Sequence, residues 1–178
     1  MSNPNEKDKK LDLIKENFNH ARHIENERLQ FAQIYGAIVA GSFALSSTGG
    51  ISIQLYHILL ILLYIVGLFG FLLTIKLSYE FANHMEKNHQ LALADETINI
   101  YLARPLDTGI FKVLKAKFMF FGFYIGICDY LLYLILNVFL NQYWYIIVLL
   151  VTIIMLIVVL FADREFKKHR NRYSKEKM

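Results

Sequence analysis

The sequence predicts an all-α, polytopic membrane protein with four transmembrane helices, arranged as two helical hairpins with both termini in the cytoplasm. Three observations carry this prediction: an apolar composition, four long apolar stretches and the placement of the positive charges. Of the 178 residues, 56% are hydrophobic and only 19% are charged, and the mean hydropathy is +0.37. An ordinary water-soluble domain is less apolar than this, so the composition indicates a membrane protein.

Four stretches are long enough and apolar enough to cross a bilayer, which takes about 20 mainly apolar residues in a helix. They are residues 29–45, 53–75, 118–140 and 143–161. The first stretch is shorter than the others and contains Gln30 and Gln33. The connections at 46–54 and 141–142 are short turns, so the four spans are expected to pair into two hairpins.

The positive charges give the predicted orientation. All 19 Lys and Arg residues fall outside the four spans, in residues 1–28, 76–117 and 164–177. The two hairpin turns contain no charged residue. Since positively charged loops stay on the cytoplasmic side, both termini and the central segment are predicted to be cytoplasmic.

These assignments divide the chain into five segments. We expect a cytoplasmic N-terminal helix, a first transmembrane hairpin, a cytoplasmic helical segment, a second transmembrane hairpin and a basic cytoplasmic tail, at residues 1–28, 29–76, 77–117, 118–162 and 163–178. No Pro or Gly interrupts residues 6–28 or 77–103, so the first two spans should continue as helices into the cytoplasm. The first 28 residues are polar and helix-prone and are not a short basic region followed by an apolar one, so no signal peptide is expected.

Asp129 is the only acid or base expected deep within a span. It shares a helix face with Gly122, Gly126, Tyr133 and Asn137, which lie at spacings of three and four residues. A charge at the bilayer centre costs roughly 2.5–3.5 kcal/mol, so this carboxyl group should face a bundle interior, stay protonated or line a wet path. Two interpretations stay open. Either Asp129 fixes packing through a hydrogen bond to Tyr133 or a neighbouring helix, or it is an ion or proton site.

Small residues on two faces predict close helix packing. Gly122 and Gly126 form a GxxxG pair in the third span. The first span carries a stripe of four small residues, Ala37, Ala40, Gly41 and Ala44. Small residues let helix backbones approach closely in lipid. Two such faces exceed what one hairpin needs, so the sequence predicts self-association into a homo-oligomer.

A charged stem leads directly into the first span. It contains His23, Glu25, Asn26, Glu27 and Arg28. We expect these side chains to form ion pairs and hydrogen bonds between the subunits of a ring of helices. His20, His23 and Glu27 also share one face, as ligands of a divalent metal would, but a solvated helix surface is the favoured interpretation. No metal site and no cofactor are predicted.

The tail carries the whole formal charge of the chain. Residues 163–178 hold seven Lys and Arg against three acids, which leaves +4, while the rest of the chain is balanced. A basic cluster beside a span is attracted to anionic lipid by about 1 kcal/mol per residue. The lipid-facing residues are predicted to be Arg164, Lys167, Lys168, Arg170 and Arg172. A plain topology anchor is the favoured interpretation, and recognition of specific lipids or of a cytoplasmic protein is the alternative. Nucleic-acid binding is not expected, because no aromatic platform or fold presents the tail.

The sequence gives catalysis no support. It contains no nucleophile elbow, phosphate loop, paired zinc motif or kinase element, and its single cysteine, Cys128, excludes an intrachain disulfide framework. The extramembrane segments are also too short for an enzyme domain of usual size. We therefore expect a non-enzymatic protein. The alternative is an oligomeric ion channel or proton-coupled transporter that uses Asp129.

The stem and the first span together carry a resemblance. The run RHIENERL at residues 22–29, followed by IYGAIVAG at 34–41, resembles the RipA family of octameric bacterial inner-membrane proteins. The resemblance covers most of the chain by its helix-then-four-spans layout, but only residues 22–41 by motif. It implies a homo-octamer in the bacterial inner membrane with a role in adaptation to the host cell and intracellular growth. It implies no catalytic residue. From the small-residue faces, the charged stem and the basic tail we expect that the protein supports envelope or stress adaptation by scaffolding lipids or proteins.

Overall fold

The computed structural model describes residues 4–49, 52–93, 116–139 and 144–175. These residues form four helices and no strand: α1 Pro4–Ser47, α2 Ile53–Leu93, α3 Ala116–Phe139 and α4 Trp144–Lys175. All four helices are long and apolar enough to cross a membrane, which confirms the predicted all-α membrane fold. Most of the predicted central segment, residues 94–115, lies outside the described residues.

Two of the helices are much longer than a membrane span. α1 has 44 residues and α2 has 41, which at the helical rise is about 66 Å and 62 Å, roughly twice the thickness of a hydrocarbon core. The expected continuation of both helices beyond their apolar parts is therefore confirmed as far as Leu93.

α1 is followed by a turn at residues 48–49. Gly49 has a φ of 69°, a left-handed conformation that glycine adopts without steric cost, and its N–H donates to the carbonyl oxygen of Ser46 at 3.3 Å. At the start of α2 the hydroxyl oxygen of Ser52 accepts the N–H of Leu55 at 3.4 Å, as an N-cap residue does. Local backbone and side-chain hydrogen bonds thus mark the end of α1 and the start of α2.

α1 and α2 run antiparallel and pack along one continuous seam. The buried positions repeat every seven residues: on α1 at Ile14, Ala21, Arg28, Tyr35 and Ser42, and on α2 at Leu60, Gly67, Thr74, the half-buried Phe81 and Asn88. A seven-residue repeat is typical of a left-handed coiled coil, in which one stripe of each helix stays turned towards its partner. This seam extends from the polar ends of both helices into their apolar parts.

The main core lies where α2 meets α1 and α3. Tyr35 of α1 and Tyr124 of α3 are each at most 1% exposed, and their rings stack with centroids 5.8 Å apart. The hydroxyl of Tyr35 donates to the backbone carbonyl of Leu63 at 3.0 Å, which satisfies a polar group that would be costly in an apolar interior.

Two glycines of α2 make room for these rings. A Cβ at Gly67 would overlap the hydroxyl of Tyr35 and would lie 2.8 Å from the Sγ of Cys128. A Cβ at Gly70 would lie 2.6 Å from a ring carbon of Phe31. Close packing in this core therefore depends on α2 glycines and the aromatic rings that fit against them.

α4 is the most peripheral helix. It packs along α3 and touches α2 over a short length, and it places Met155 and Val159 in the core. Most of its other apolar side chains are exposed, including Leu149, Leu150, Ile153, Ile154, Ile157, Leu160 and Phe161. An apolar helix of this kind is suited to lipid contact.

Replacing Gly67 with alanine should destabilise the helix bundle, because the added methyl group would overlap two fully buried side chains. Overpacking of this kind costs about 1–3 kcal/mol. The matched control is Gly122→Ala, since a Cβ at this helical glycine meets nothing within 4 Å. Thermal unfolding in detergent should give a lower melting temperature for Gly67→Ala than for Gly122→Ala. Equal melting temperatures would contradict the prediction.

Candidate functional site

The candidate functional site is the side of α1 that is turned away from α2 and α3. Next to the exposed Ile34, Ile38 and Leu45, the apolar part of α1 on this side carries six small and amide side chains: Gln30, Gln33, Ala37, Ala40, Gly41 and Ala44. All six are exposed, and we call them the small-residue face. A Cβ added at Gly41 meets nothing within 4 Å. Within one copy of the chain, the small-residue stripe found in the sequence therefore makes no close helix contact with the described residues.

The other exposed surfaces have a different chemistry. α2 exposes large apolar side chains at Ile58, Ile61, Leu62, Ile65, Phe69 and Leu72, and α4 does the same. α1 itself exposes Ile34, Ile38 and Leu45 beside the small-residue face. Large apolar side chains suit contact with lipid tails, whereas an amide group in hydrocarbon loses its hydrogen bonds to water. The small-residue face is thus the least lipid-like of these surfaces.

The same side of α1 continues into the charged stem. Asn19, Arg22, His23 and Asn26 are exposed on it. Glu25 and Glu27 are also exposed, and Glu27 lies 3.2 Å from the imidazole of His23 one turn earlier. Four of the five predicted stem residues are therefore on the surface, and their contacts with another subunit stay a prediction.

Arg28, the fifth stem residue, is buried inside the monomer and is only 3% exposed. Its Nη1 donates to the hydroxyl of Ser78 at 3.1 Å, and its Nη2 lies 3.7 Å from the carboxylate of Glu25. The guanidinium carbon lies 5.7 Å and 5.4 Å from the ring centroids of Phe81 and Phe120. Cation–π contacts and a hydrogen bond thus join α1, α2 and α3 through one side chain. The packing role predicted for Arg28 is intramolecular here.

Sequence reasoning missed the partners of Arg28. Ser78 lies 50 residues away, and no local pattern connects the two positions. The seven-residue repeat was the available signal, because it places Arg28 in the buried stripe with Ala21 and Tyr35.

Asp129 of α3 faces α4. Thr152 Oγ1 lies 2.8 Å from Asp129 Oδ2 and also 2.8 Å from the carbonyl oxygen of Val148. Of the two predicted kinds of partner, Tyr133 or a neighbouring helix, the structure shows the neighbouring helix. The ring of Tyr133 contacts that of Trp144 with centroids 4.5 Å apart, and Asn137 is exposed.

The GxxxG pair on α3 is on the surface. Gly122 and Gly126 are exposed, and a Cβ at either position meets no atom of the described residues within 4 Å. Close packing within one chain instead uses Gly67 and Gly70, which are three residues apart and do not form a GxxxG pair. Gly122 and Gly126 are thus free to contact lipid or a second chain.

The polar ends of α1 and α2 form a two-helix stalk, residues 8–28 and 76–91. The imidazole rings of His20 and His84 stack with centroids 5.3 Å apart, and His84 Nδ1 lies 3.2 Å from Asn17 Oδ1. Asn88 is 2% exposed, and its amide has no hydrogen-bond partner among the described residues. A single buried Asn in such a seam can specify the register of the two helices, at a cost in stability.

The metal-site alternative has no support in the geometry. His20 pairs with Glu16 at 3.7 Å, while His23 pairs with Glu27. Within the four described stretches, no group of three His, Cys, Asp or Glu side chains is placed to hold a metal ion.

The predicted basic tail begins inside α4. The helix continues to Lys175 and so contains Lys167, Lys168, Arg170 and Arg172. Arg164 is exposed. The tail is thus a helical extension of the fourth span as far as residue 175, and the last three residues lie outside the described residues.

Arg28→Lys should destabilise the junction of α1, α2 and α3 although it keeps the charge. Lysine lacks the planar group that lies against both rings and donates to Ser78, and hydrogen bonds of charged groups contribute about 1.5–3 kcal/mol. Arg22→Lys, on the exposed side of the same helix, is the matched control and should change stability by no more than about 0.5 kcal/mol. Thermal unfolding in detergent measures the stability of both variants. A loss of stability no larger for Arg28→Lys than for Arg22→Lys would contradict the prediction.

Comparisons with family models, with curated proteins and with solved structures found no match. The resemblance to the RipA family therefore rests on residues 22–41 and the four-span layout, and the octamer that it implies stays a prediction.

Proposed function

We propose that the chain is a non-enzymatic, homo-oligomeric membrane scaffold in which a second copy of the chain covers the small-residue face of α1. The observation that carries this proposal is the chemistry of that face. From Gln30 to Ala44 it extends about 21 Å along α1, most of the thickness of a hydrocarbon core, as a strip of small and amide side chains bordered by Ile34 and Ile38. A surface that contacts lipid tails is expected to carry large apolar side chains instead.

Helix association in lipid depends on close packing and interhelical hydrogen bonds, since lipid tails are as apolar as leucine side chains. The small-residue face offers both. Its alanines and Gly41 permit close approach of another helix, and the amides of Gln30 and Gln33 can bond across the interface. Such bonds contribute on the order of 1 kcal/mol each.

The stem supports a second copy of the same chain as the partner. Directly beyond the small-residue face, it exposes the cation Arg22 and the anions Glu25 and Glu27. A surface with both signs of charge is complementary to itself when copies are arranged around an axis. Exposed ion pairs contribute little individually, but a network of them can set orientation and register.

The proposal also covers the orientation of the protein in the membrane, its location and its biological role. The positive charges support an orientation with both termini and the stalk in the cytoplasm. In that orientation the basic tail contacts anionic lipid, and the stalk is available to a cytoplasmic protein partner. The resemblance to the RipA family supports the bacterial inner membrane, eight subunits, and a role in envelope or stress adaptation and intracellular growth.

Adding bulk to the small-residue face should reduce assembly. We expect the wild-type chain to give an oligomeric mass in native mass spectrometry from mild detergent, and Ala37→Leu to shift it towards smaller species, because the larger side chain separates the helices. Val66→Phe is the control, since it adds bulk to the exposed apolar side of α2 and should leave the mass unchanged. A wild-type protein that is monomeric, or equal masses for both variants, would refute the proposed interface.

The second candidate function is an oligomeric ion channel or proton-coupled transporter that uses Asp129. One observation favours it: Asp129 Oδ1 is buried and has no hydrogen-bond partner in the described part of the chain. Polar groups held inside a membrane often mark ion or proton sites. Asp129 is, however, directed towards α4 and is not part of the small-residue face.

This candidate predicts that wild-type protein in proteoliposomes conducts ions or protons, and that Asp129→Asn abolishes the flux while the oligomeric mass is unchanged. Asn removes the titratable group but keeps the shape of the side chain. Flux that survives in Asp129→Asn, or no flux with wild-type protein, would count against the transport function.

A further inference from the structure

We propose that Asp129 and Thr152 form an intramembrane proton-binding site, in which Asp129 is a neutral carboxylic acid that donates its proton to the hydroxyl oxygen of Thr152. This inference goes beyond the scaffold function and does not depend on assembly. It rests on two separate observations: the number of hydrogens available around Thr152 and the surroundings of the second carboxyl oxygen of Asp129.

The first observation is that one hydroxyl group has two close oxygen neighbours. Thr152 Oγ1 lies 2.8 Å from Val148 O and 2.8 Å from Asp129 Oδ2, but it has a single hydrogen to donate. Two other buried hydroxyl groups, those of Ser42 and Thr74, donate to the carbonyl four residues earlier at 2.7 Å and 2.8 Å. This is a usual bond for Ser and Thr within helices.

If Thr152 donates in the same way, its hydrogen belongs to Val148 O. The contact with Asp129 then needs a hydrogen from the carboxyl group, because two oxygen atoms at 2.8 Å with no hydrogen between them would repel. A protonated Asp129 supplies it: Oδ2–H donates to Thr152 Oγ1, and Thr152 donates to Val148 O. Each hydrogen then has one acceptor.

The second observation concerns Asp129 Oδ1. This atom is buried and has no hydrogen-bond donor among the described residues. In a carboxylate it would carry about half of the negative charge, and a buried ionised group without a partner is far more costly than a buried neutral one. In the protonated acid it is an ordinary carbonyl oxygen, and the cost of leaving it without a donor is much smaller.

The neighbouring ionisable groups do not offset a negative charge. Tyr64 from α2 and Cys128 from α3 lie close enough to interact with Asp129 electrostatically, and neither can carry a positive charge. From α4, the side chain in contact is the neutral Thr152. Among the described residues, none of the three helices at this site thus supplies a cation to stabilise the carboxylate.

The bound proton has a structural role at this position. α4 is held mainly by its packing along α3, and the Asp129–Thr152 hydrogen bond joins these two helices. Loss of the proton would place a charge at the contact and remove the donor for Thr152. The site therefore makes the attachment of α4 dependent on a proton bound inside the membrane.

Infrared spectroscopy of the full-length protein in lipid vesicles at neutral pH tests the protonation state. We expect the carbonyl band of a protonated carboxylic acid in the wild type and its loss in Asp129→Asn. The other 14 Asp and Glu residues lie outside the predicted spans, so the band that disappears in Asp129→Asn is assigned to Asp129. A wild-type spectrum with carboxylate bands alone would overturn the proposal, whether or not Asp129→Asn folds.

Thr152→Val tests the acceptor. This variant keeps the shape of the side chain but removes the hydroxyl oxygen, so the acid band should persist and move to higher frequency as the carboxyl group loses its hydrogen bond. Thr74→Val, which removes a buried hydroxyl bonded to Gly70 O, is the control and should leave the band in place. An unmoved band in Thr152→Val would overturn the assignment of Thr152 as the proton acceptor.

Discussion

The seam between α1 and α2 is the constraint on which the rest of the structure depends. Its seven-residue repeat extends from Ile14 to Ser42 on one helix, so the same stripe is buried in the stalk and in the apolar region. In the stalk, removal of apolar surface from water can drive this packing. In lipid that driving force is absent, and the helices are held by the close packing of Gly67 and Gly70 against aromatic rings. Because the seam occupies one side of α1, it leaves the opposite side, with the small-residue face, outside the monomer.

Polar groups in the apolar region fall into two classes that this arrangement separates. Two of those directed inwards have partners within the chain, since the Tyr35 hydroxyl bonds a backbone carbonyl and Asp129 Oδ2 bonds Thr152 on the neighbouring helix, whereas Asp129 Oδ1 and the Tyr124 hydroxyl have none among the described residues. Those directed outwards, Gln30 and Gln33, are exposed on the small-residue face. The hydrogen-bonded inward groups therefore stabilise the fold, and the outward groups are available for association between copies of the chain.

Features that depend on local sequence could be predicted, and features that depend on distant partners could not. Apolar length gave the four helices, and the lack of Pro and Gly in the stem gave the continuity of α1. The GxxxG pattern at Gly122 and Gly126 did not identify the glycines that are packed within the chain. Which glycine is packed depends on whether the partner helix places a large side chain against it, and the pattern does not contain that information. For Gly67 that side chain is Tyr35. The burial of Arg28 could not be predicted for the same reason, since its hydrogen-bond partner Ser78 is 50 residues away in the sequence. For Asp129 the sequence left a packing role and an ion or proton site open, and its contact with Thr152 could be identified only from the packing of α3 and α4.

The unbroken length of α1 has a mechanical consequence. From Pro4 to Arg28 the helix extends about 37 Å beyond its apolar part, and pairing with α2 through much of the stalk stiffens it against bending. A tilt of about 10° inside the bilayer would carry the far end sideways by about 6 Å. The paired helices thus act as a lever, which converts a small rearrangement among the spans into a displacement large enough to change what the stalk touches.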